Sequence, residues 1–271
     1  MYITDDILYL RLQKTGSSHV VNALEKACHG SQEGEMHGRA SQELLESGRI
    51  IAGSVRNPWD WYVSIWAYGC GGKGILYDRL AGKRRIRGYG YRRSPARAAR
   101  ELLHETVRKR GVWRRLYRDA SSPENFRKWL KMLFGPAGTR ASDEKFHRSS
   151  LSDFAGLYTY RYCHLFHRNT EHLYDGSLEN TTQLEEKDLE ENIVQKMLRT
   201  EDLSRGILQL LKMAGVELAD EVRRSITGMG RTNPSDRKRK TSYYYDSETA
   251  ELVNSRDSML VRKYGYEPPE I

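Results

Sequence analysis

Apolar positions near the start of the chain cluster in Ile7-Leu8-Tyr9-Leu10-Arg11-Leu12, a run that reads as a β-strand buried on at least one face. QKTGSS follows as a tight turn, and the segment beyond it predicts a helix to about Cys28. The pattern then repeats. Residues 39–48 predict a short helix closed by Gly48, and 49–55 is an apolar run of strand length. Asn57 stands at an N-cap position with Pro58 at the first helical position, so WDWYVSIWAY is expected to continue as a helix.

From Gly69 to Gly90 glycines and basic residues mix without period, which predicts an irregular loop or a mobile insertion. Helices are expected at about 95–110, at 122–134 with Ser122 as cap and Pro123 as first residue, and at 156–167. Residues 192–203 read as a strand leading into a capped helix that buries Leu203, Ile207, Leu210 and Leu211. A polar loop over 228–242 and a helix with Leu252, Val253, Met259, Leu260 and Tyr264 on one face follow. Strands alternating with helices predict an α/β fold with a mostly parallel central sheet. No repeat or composition shift divides the chain, so 1–271 is expected to form one domain, with 83–150 a basic helical insertion.

Composition narrows the class. Hydrophobic residues are 38% and charged residues 30%, polar for an enzyme but too rich in apolar clusters for a disordered chain. No apolar stretch approaches 18 residues and no basic leader precedes the first strand, so neither a membrane span nor an export signal is expected. Three cysteines at wide spacing, Cys28, Cys70 and Cys163, suit reduced thiols in a cytoplasmic protein. The net charge of +9 is uneven: residues 83–118 hold 14 Lys/Arg against Glu101 and Glu105. That segment calls for an anionic partner or an anionic surface, or else its arginines solvate a helical insertion or pair with acidic residues elsewhere.

The strongest chemical unit is Lys14-Thr15-Gly16-Ser17-Ser18, directly after a strand and at the head of a helix. Main-chain N–H groups there carry partial positive charge and can wrap a phosphate, with Lys14 and the hydroxyls completing its coordination. The loop is not a Walker A sequence, because Lys14 precedes Gly16 instead of following the last glycine. Ser17 as a plain N-cap is the alternative. A second unit places Arg56 at a strand end and Ser64 two helical turns further on, a guanidinium fork and a hydroxyl suited to a second phosphate. Its alternative is an Arg56 neutralised by Asp60.

Together, KTGSS and VRNPWDWYVS resemble the sulfotransferase family that uses 3'-phosphoadenosine-5'-phosphosulfate (PAPS), specifically its carbohydrate-type and bacterial members. MLRTEDL at 197–203 and the segment from Thr232 to Glu267 are similar to the family's late strand and C-terminal region, while about 70–190 is unmatched. The resemblance implies a P-loop NTPase-like three-layer sandwich. It implies that Lys14, Thr15, Gly16, Ser17 and Ser18 cradle the 5'-phosphosulfate, that Arg56 and Ser64 hold the 3'-phosphate, and that an acceptor, a glycan hydroxyl or a small natural product, receives the sulfuryl group. Two positions depart from the family pattern: Gln13 stands where Pro is frequent, and Trp61 where Arg is common.

Sulfuryl transfer needs charge stabilisation on the leaving phosphate and a base for the acceptor proton. Lys14 is the candidate for the first and His37 for the second, with Glu33 and Glu35 as substitutes. Cys163, His164, His167 and His172 lack zinc spacing and are read as packing residues on one helix, so no metal is assigned. Tyr243, Tyr244 and Tyr245 either stack on adenine or pack on the core, and Arg239 and Lys240 either reach the 3'-phosphate or are solvated. A nucleotide-dependent kinase and a non-catalytic polyanion binder are the competing classes; no sequence-specific nucleic-acid recognition is expected. The first lacks Walker A order and a strand-end magnesium ligand, and the second does not require the Arg56/Ser64 pair.

Overall fold

A computed structural model of the chain describes residues 1–82, 110–229, 237 and 239–271. The sheet is built from β1 (Tyr2–Thr4), β2 (Ile7–Tyr9), β3 (Gly30–Gln32), β4 (Ile50–Val55) and β5 (Lys196–Arg199), in the spatial order β3-β1-β2-β4-β5. β2, β4 and β5 run parallel, whereas β1 pairs antiparallel with both β2 and β3. The sheet is therefore mixed, not mostly parallel as the alternation of elements suggested. The cause is local: only Asp5 and Asp6 separate β1 from β2, too short for a crossover, so the chain must double back.

Side chains alternate across the sheet. Tyr2, Ile7, Tyr9, Ala52 and Leu198 pack in one cluster with α1 (Ser17–Ala27) and with the later helix Leu203–Met213. Ile3, Leu8, Leu10, Ile51 and Val55 enter the larger cluster, which holds the helices Pro58–Cys70, Pro123–Phe134 and Leu157–Phe166. All five tryptophans lie in the larger cluster and none is solvent-accessible. Each buries about 150–250 Å² of side-chain area, a gross hydrophobic gain of roughly 4–6 kcal/mol apiece before entropy is counted.

The helix 58–70 starts as the sequence predicts: the Asn57 side chain accepts from the Asp60 N–H and Pro58 occupies the first turn. Ser122 caps the helix at 123–134 in the same way. Elsewhere the irregular stretch predicted after Gly69 contains a helix at Ile75–Leu80. Helices also fill Arg110–Leu116, Pro136–Ser142 and Glu144–His147. The basic segment expected at 83–118, and the helix expected at about 95–110, fall mainly on residues 83–109, outside those described. Thr181–Glu191 forms a further helix, and the final helical face is divided between Ser247–Arg256 and Ser258–Tyr264. Leu203 is only partly buried, while Ile207, Leu210 and Leu211 are fully buried. No helix among the described residues is long and apolar enough to cross a membrane.

Candidate functional site

The loop between β2 and α1 is shaped by two left-handed residues. Gly16 has φ +78° and Lys14 has φ +61°, the sole non-glycine residue with positive φ among those described. A Cβ at Gly16 would lie 2.5 Å from the Leu203 side chain, so both its φ and its surroundings call for glycine. The turn leaves the N–H groups of Thr15, Gly16, Ser17 and Ser18 without hydrogen-bond partners among the described residues. Four N–H donors at a helix head, not engaged by the described residues, suit a tetrahedral anion.

The Thr15 side chain is anchored inward. Its hydroxyl donates to the Leu12 carbonyl at 2.8 Å and meets Ser54 Oγ at 2.7 Å, and Ser54 in turn meets the Tyr9 hydroxyl at 2.7 Å. Each hydroxyl has one proton; Thr15 spends its own on Leu12, so Ser54 donates to Thr15 and Tyr9 donates to Ser54. Thr15 thus ties the loop to β2 and β4 and offers an anion only its N–H. Lys14 Nζ lies 3.9 Å from the centre of the Tyr68 ring.

Arg56, at the end of β4, reaches the same loop. Its Nη1 donates to the Lys14 carbonyl at 3.2 Å and to Ser64 Oγ at 3.1 Å. Arg56 and Ser64 are therefore brought together as the sequence predicts, with Ser64 2% exposed. The ion pair with Asp60 is present as well, at 2.5 Å. Asp60 is shared: its other oxygen binds Arg237 and accepts from the Thr241 hydroxyl. Burial pushes the Asp60 carboxyl up, but the Arg56 and Arg237 guanidiniums outweigh this and hold it below the usual carboxylate range. Two guanidiniums on one carboxylate leave a net positive charge beside Ser64. Arg237 escaped the sequence reading, which singled out Arg239 and Lys240 from the same basic loop. Arg239 lies over the Tyr243 ring and Lys240 is exposed.

His37 is joined to the strand that feeds the loop. Its Nδ1 lies 2.7 Å from the Arg11 carbonyl; a carbonyl only accepts, so Nδ1 carries the proton and Nε2 holds the lone pair. Burial pushes the imidazole below its ordinary value, against the hydrogen bond to Arg11, and the charges of Arg11 and Arg161 lower it further. A neutral imidazole with a defined basic nitrogen results. Glu33 and Glu35 are exposed, and their carbonyls accept from the amino group of Met1.

Both departures from the family pattern lie against this loop. The Trp61 indole N–H donates to the Gln13 carbonyl at 2.7 Å, and its ring stacks on Tyr158 with centres 4.4 Å apart. Gln13 Oε1 accepts from Arg161 Nη1 at 2.6 Å. Arg161 had a legible but unused signal, a lone cation within the aromatic run LYTYRYCHLF. The Tyr158 hydroxyl accepts from the Arg56 N–H at 2.8 Å and donates to the Arg56 carbonyl at 3.1 Å.

The remaining candidates lie apart. Cys163 and His164 belong to the helix 157–166, where His164 stacks on Tyr160 and burial pushes its imidazole down to about 4. His167 caps that helix and, with His172, joins a buried chain to Asp188 and Lys263 that fastens the later helices. Tyr244 and Tyr245 are buried in the core, while Tyr243 is 43% exposed. Comparison of the chain with protein-family models, with curated proteins and with solved structures finds no match.

Proposed function

We propose that the chain is a sulfotransferase that moves a sulfuryl group from PAPS to an acceptor hydroxyl, in a cytoplasmic setting and on a P-loop-like three-layer fold. The observation that carries this reading is the hydrogen-bonded unit of Arg56, Ser64 and the Lys14 carbonyl. It makes one surface of the two phosphate-binding segments, with four N–H donors at one end and the Arg56/Arg237 excess charge at the other. A nucleotide with separate 5' and 3' anionic groups fits such a surface better than a triphosphate, whose charge is collinear.

In this reading the 5'-phosphate sits on the loop and the 3'-phosphate between Arg56 and Ser64. The acceptor oxygen attacks sulfur, the bond from sulfur to the bridging phosphate oxygen breaks, and its electron pair leaves with adenosine 3',5'-bisphosphate. Lys14 balances the charge that develops on that oxygen. His37 Nε2 takes the acceptor proton and later releases it to solvent. The acceptor is expected to be a glycan or a small natural product.

Thermal denaturation with added nucleotide tests the reading. A ligand bound only by the folded chain raises its melting temperature, so adenosine 3',5'-bisphosphate should stabilise it while ATP with magnesium should not. Stabilisation by ATP alone would point to a kinase, and by neither nucleotide to a non-catalytic protein.

A further inference from the structure

Among the described residues, Arg161 is a cation with no ion-pair partner. It sits in the helix 157–166 among Tyr158, Tyr160 and Tyr162, with its guanidinium carbon 5.7 Å from the centre of the Trp61 ring. Its one hydrogen bond among the described residues is to a neutral oxygen, Gln13 Oε1. Asp143, whose charge is felt there, is ion-paired with Arg79 at 2.5 Å. Burial pushes the Arg161 guanidinium down to about 10, so it remains charged near neutral pH at a cost in solvation.

A guanidinium has five N–H donors. Only Nη1 is engaged among the described residues, and the residue is partly exposed. Gln13, which binds it, stands in the chain between Arg11, whose carbonyl binds His37, and Lys14, whose carbonyl binds Arg56. Along the loop the guanidinium is therefore attached between the attachment points of His37 and Arg56. On the donor assignment above, a group passing from a nucleotide on the loop to an acceptor at His37 crosses the same stretch.

We infer that Arg161, held by Gln13 and Trp61, forms an oxyanion subsite that binds the non-bridging oxygens of the sulfuryl group during transfer. The inference rests on the donor assignment above. Arg161 exchanges no proton and forms no covalent bond; it donates hydrogen bonds to oxygens that stay on sulfur while one S–O bond breaks and another forms. A planar fork matches two such oxygens at once, which a lysine cannot do.

The test compares two ligands that differ only in the sulfuryl group. Calorimetric affinities for PAPS and for adenosine 3',5'-bisphosphate are measured on the wild-type chain and on Arg161→Met, which keeps the apolar stem over Trp61. PAPS affinity should fall about tenfold while bisphosphate affinity changes less than about twofold. Equal losses for both ligands, or no loss for either, would overturn the subsite. If neither ligand binds the wild type, the donor assignment itself fails, a distinct result. Should Arg161→Met not fold, Arg161→Lys retains the charge without the fork: a loss confined to PAPS supports the subsite, and unchanged or matched affinities reject it.

Discussion

Trp61 holds the Gln13 carbonyl by its indole N–H at 2.7 Å, so the residue before Lys14 is fastened to the helix that carries Ser64. An aromatic donor in the first turn of one element thereby sets the entry angle of the loop. Trp61→Phe preserves most of the stack on Tyr158 and removes the N–H. The loss of one buried hydrogen bond, about 1 kcal/mol, should weaken adenosine 3',5'-bisphosphate several-fold. An unchanged dissociation constant by calorimetry would show that the loop keeps its shape without it.

Arg56→Ala removes the fork that spans Lys14, Asp60 and Ser64. It should cost about 2–4 kcal/mol of bisphosphate affinity through loss of charge-assisted hydrogen bonds. Arg237→Ala should cost less, because Arg56 still neutralises Asp60. Calorimetry on both variants checks the order, and equal or absent effects would reject Arg56 as the principal anion ligand.

Lys14→Ala should lower kcat more than it raises the donor KM, since charge on the bridging oxygen appears only as the S–O bond breaks. The measurement is steady-state sulfuryl transfer with varied donor. A variant with normal kcat and weaker binding alone would make Lys14 a ground-state ligand.

His37→Ala should retain bisphosphate binding and lose roughly 10²–10⁴ in kcat. A general base works only when unprotonated, so with His37 in that role wild-type activity should fall as pH drops through the His37 value. Burial and the charges of Arg11 and Arg161 depress that value, so the acidic limb should lie below the ordinary histidine range near 6.5 and vanish in the variant. Wild-type turnover by the variant would move the search to Glu33 or Glu35.

Asp257 supplies a prediction about stability. Its buried carboxylate accepts from the Thr159 N–H and hydroxyl and from the Tyr62 hydroxyl, yet burial dominates and pushes it up to about 6. A raised carboxyl binds more protons in the folded than in the unfolded chain between its ordinary value and about 6. Its stabilising contribution is thus complete only below about pH 4 and is lost as pH rises through about 6, by on the order of 2–3 kcal/mol in all. Thermal melts of wild type and Asp257→Asn across this range should differ by that slope. Parallel curves would refute it.

The parallel part of the sheet and the head of α1 were legible because each left a period or a breaker in the sequence. β1 and β3 were not: β1 is cut short by Asp5 and Asp6 and β3 is exposed throughout, so neither shows an apolar run such as the one that carries β2 on to Leu12. Their pairing depends on a two-residue turn and on contacts 30 residues apart, which no local pattern encodes. The anion loop and the Arg56/Ser64 pair could be proposed from spacing, since each is a local strand-to-helix unit. The inward turn of Thr15, the sharing of Asp60 with Arg237 and the approach of Arg161 to Gln13 are tertiary, decided by what packs on what.

The helix Leu157–Phe166 touches the site at three heights. Tyr158 clasps the main chain of Arg56, Arg161 binds Gln13, and the His164 carbonyl accepts from Arg39, two residues past His37. These positions are three residues apart, about 4.5 Å of rise each and on one broad side of the helix. The helix acts as a jig on which the strand end, the loop and the histidine segment are mounted at set intervals. Inserting one residue between Tyr158 and His164 would turn the later mounts by about 100° and misalign segments separated by more than 40 positions in the chain. Tolerance to insertions should accordingly be lowest in this helix, although no residue of it belongs to the loop itself.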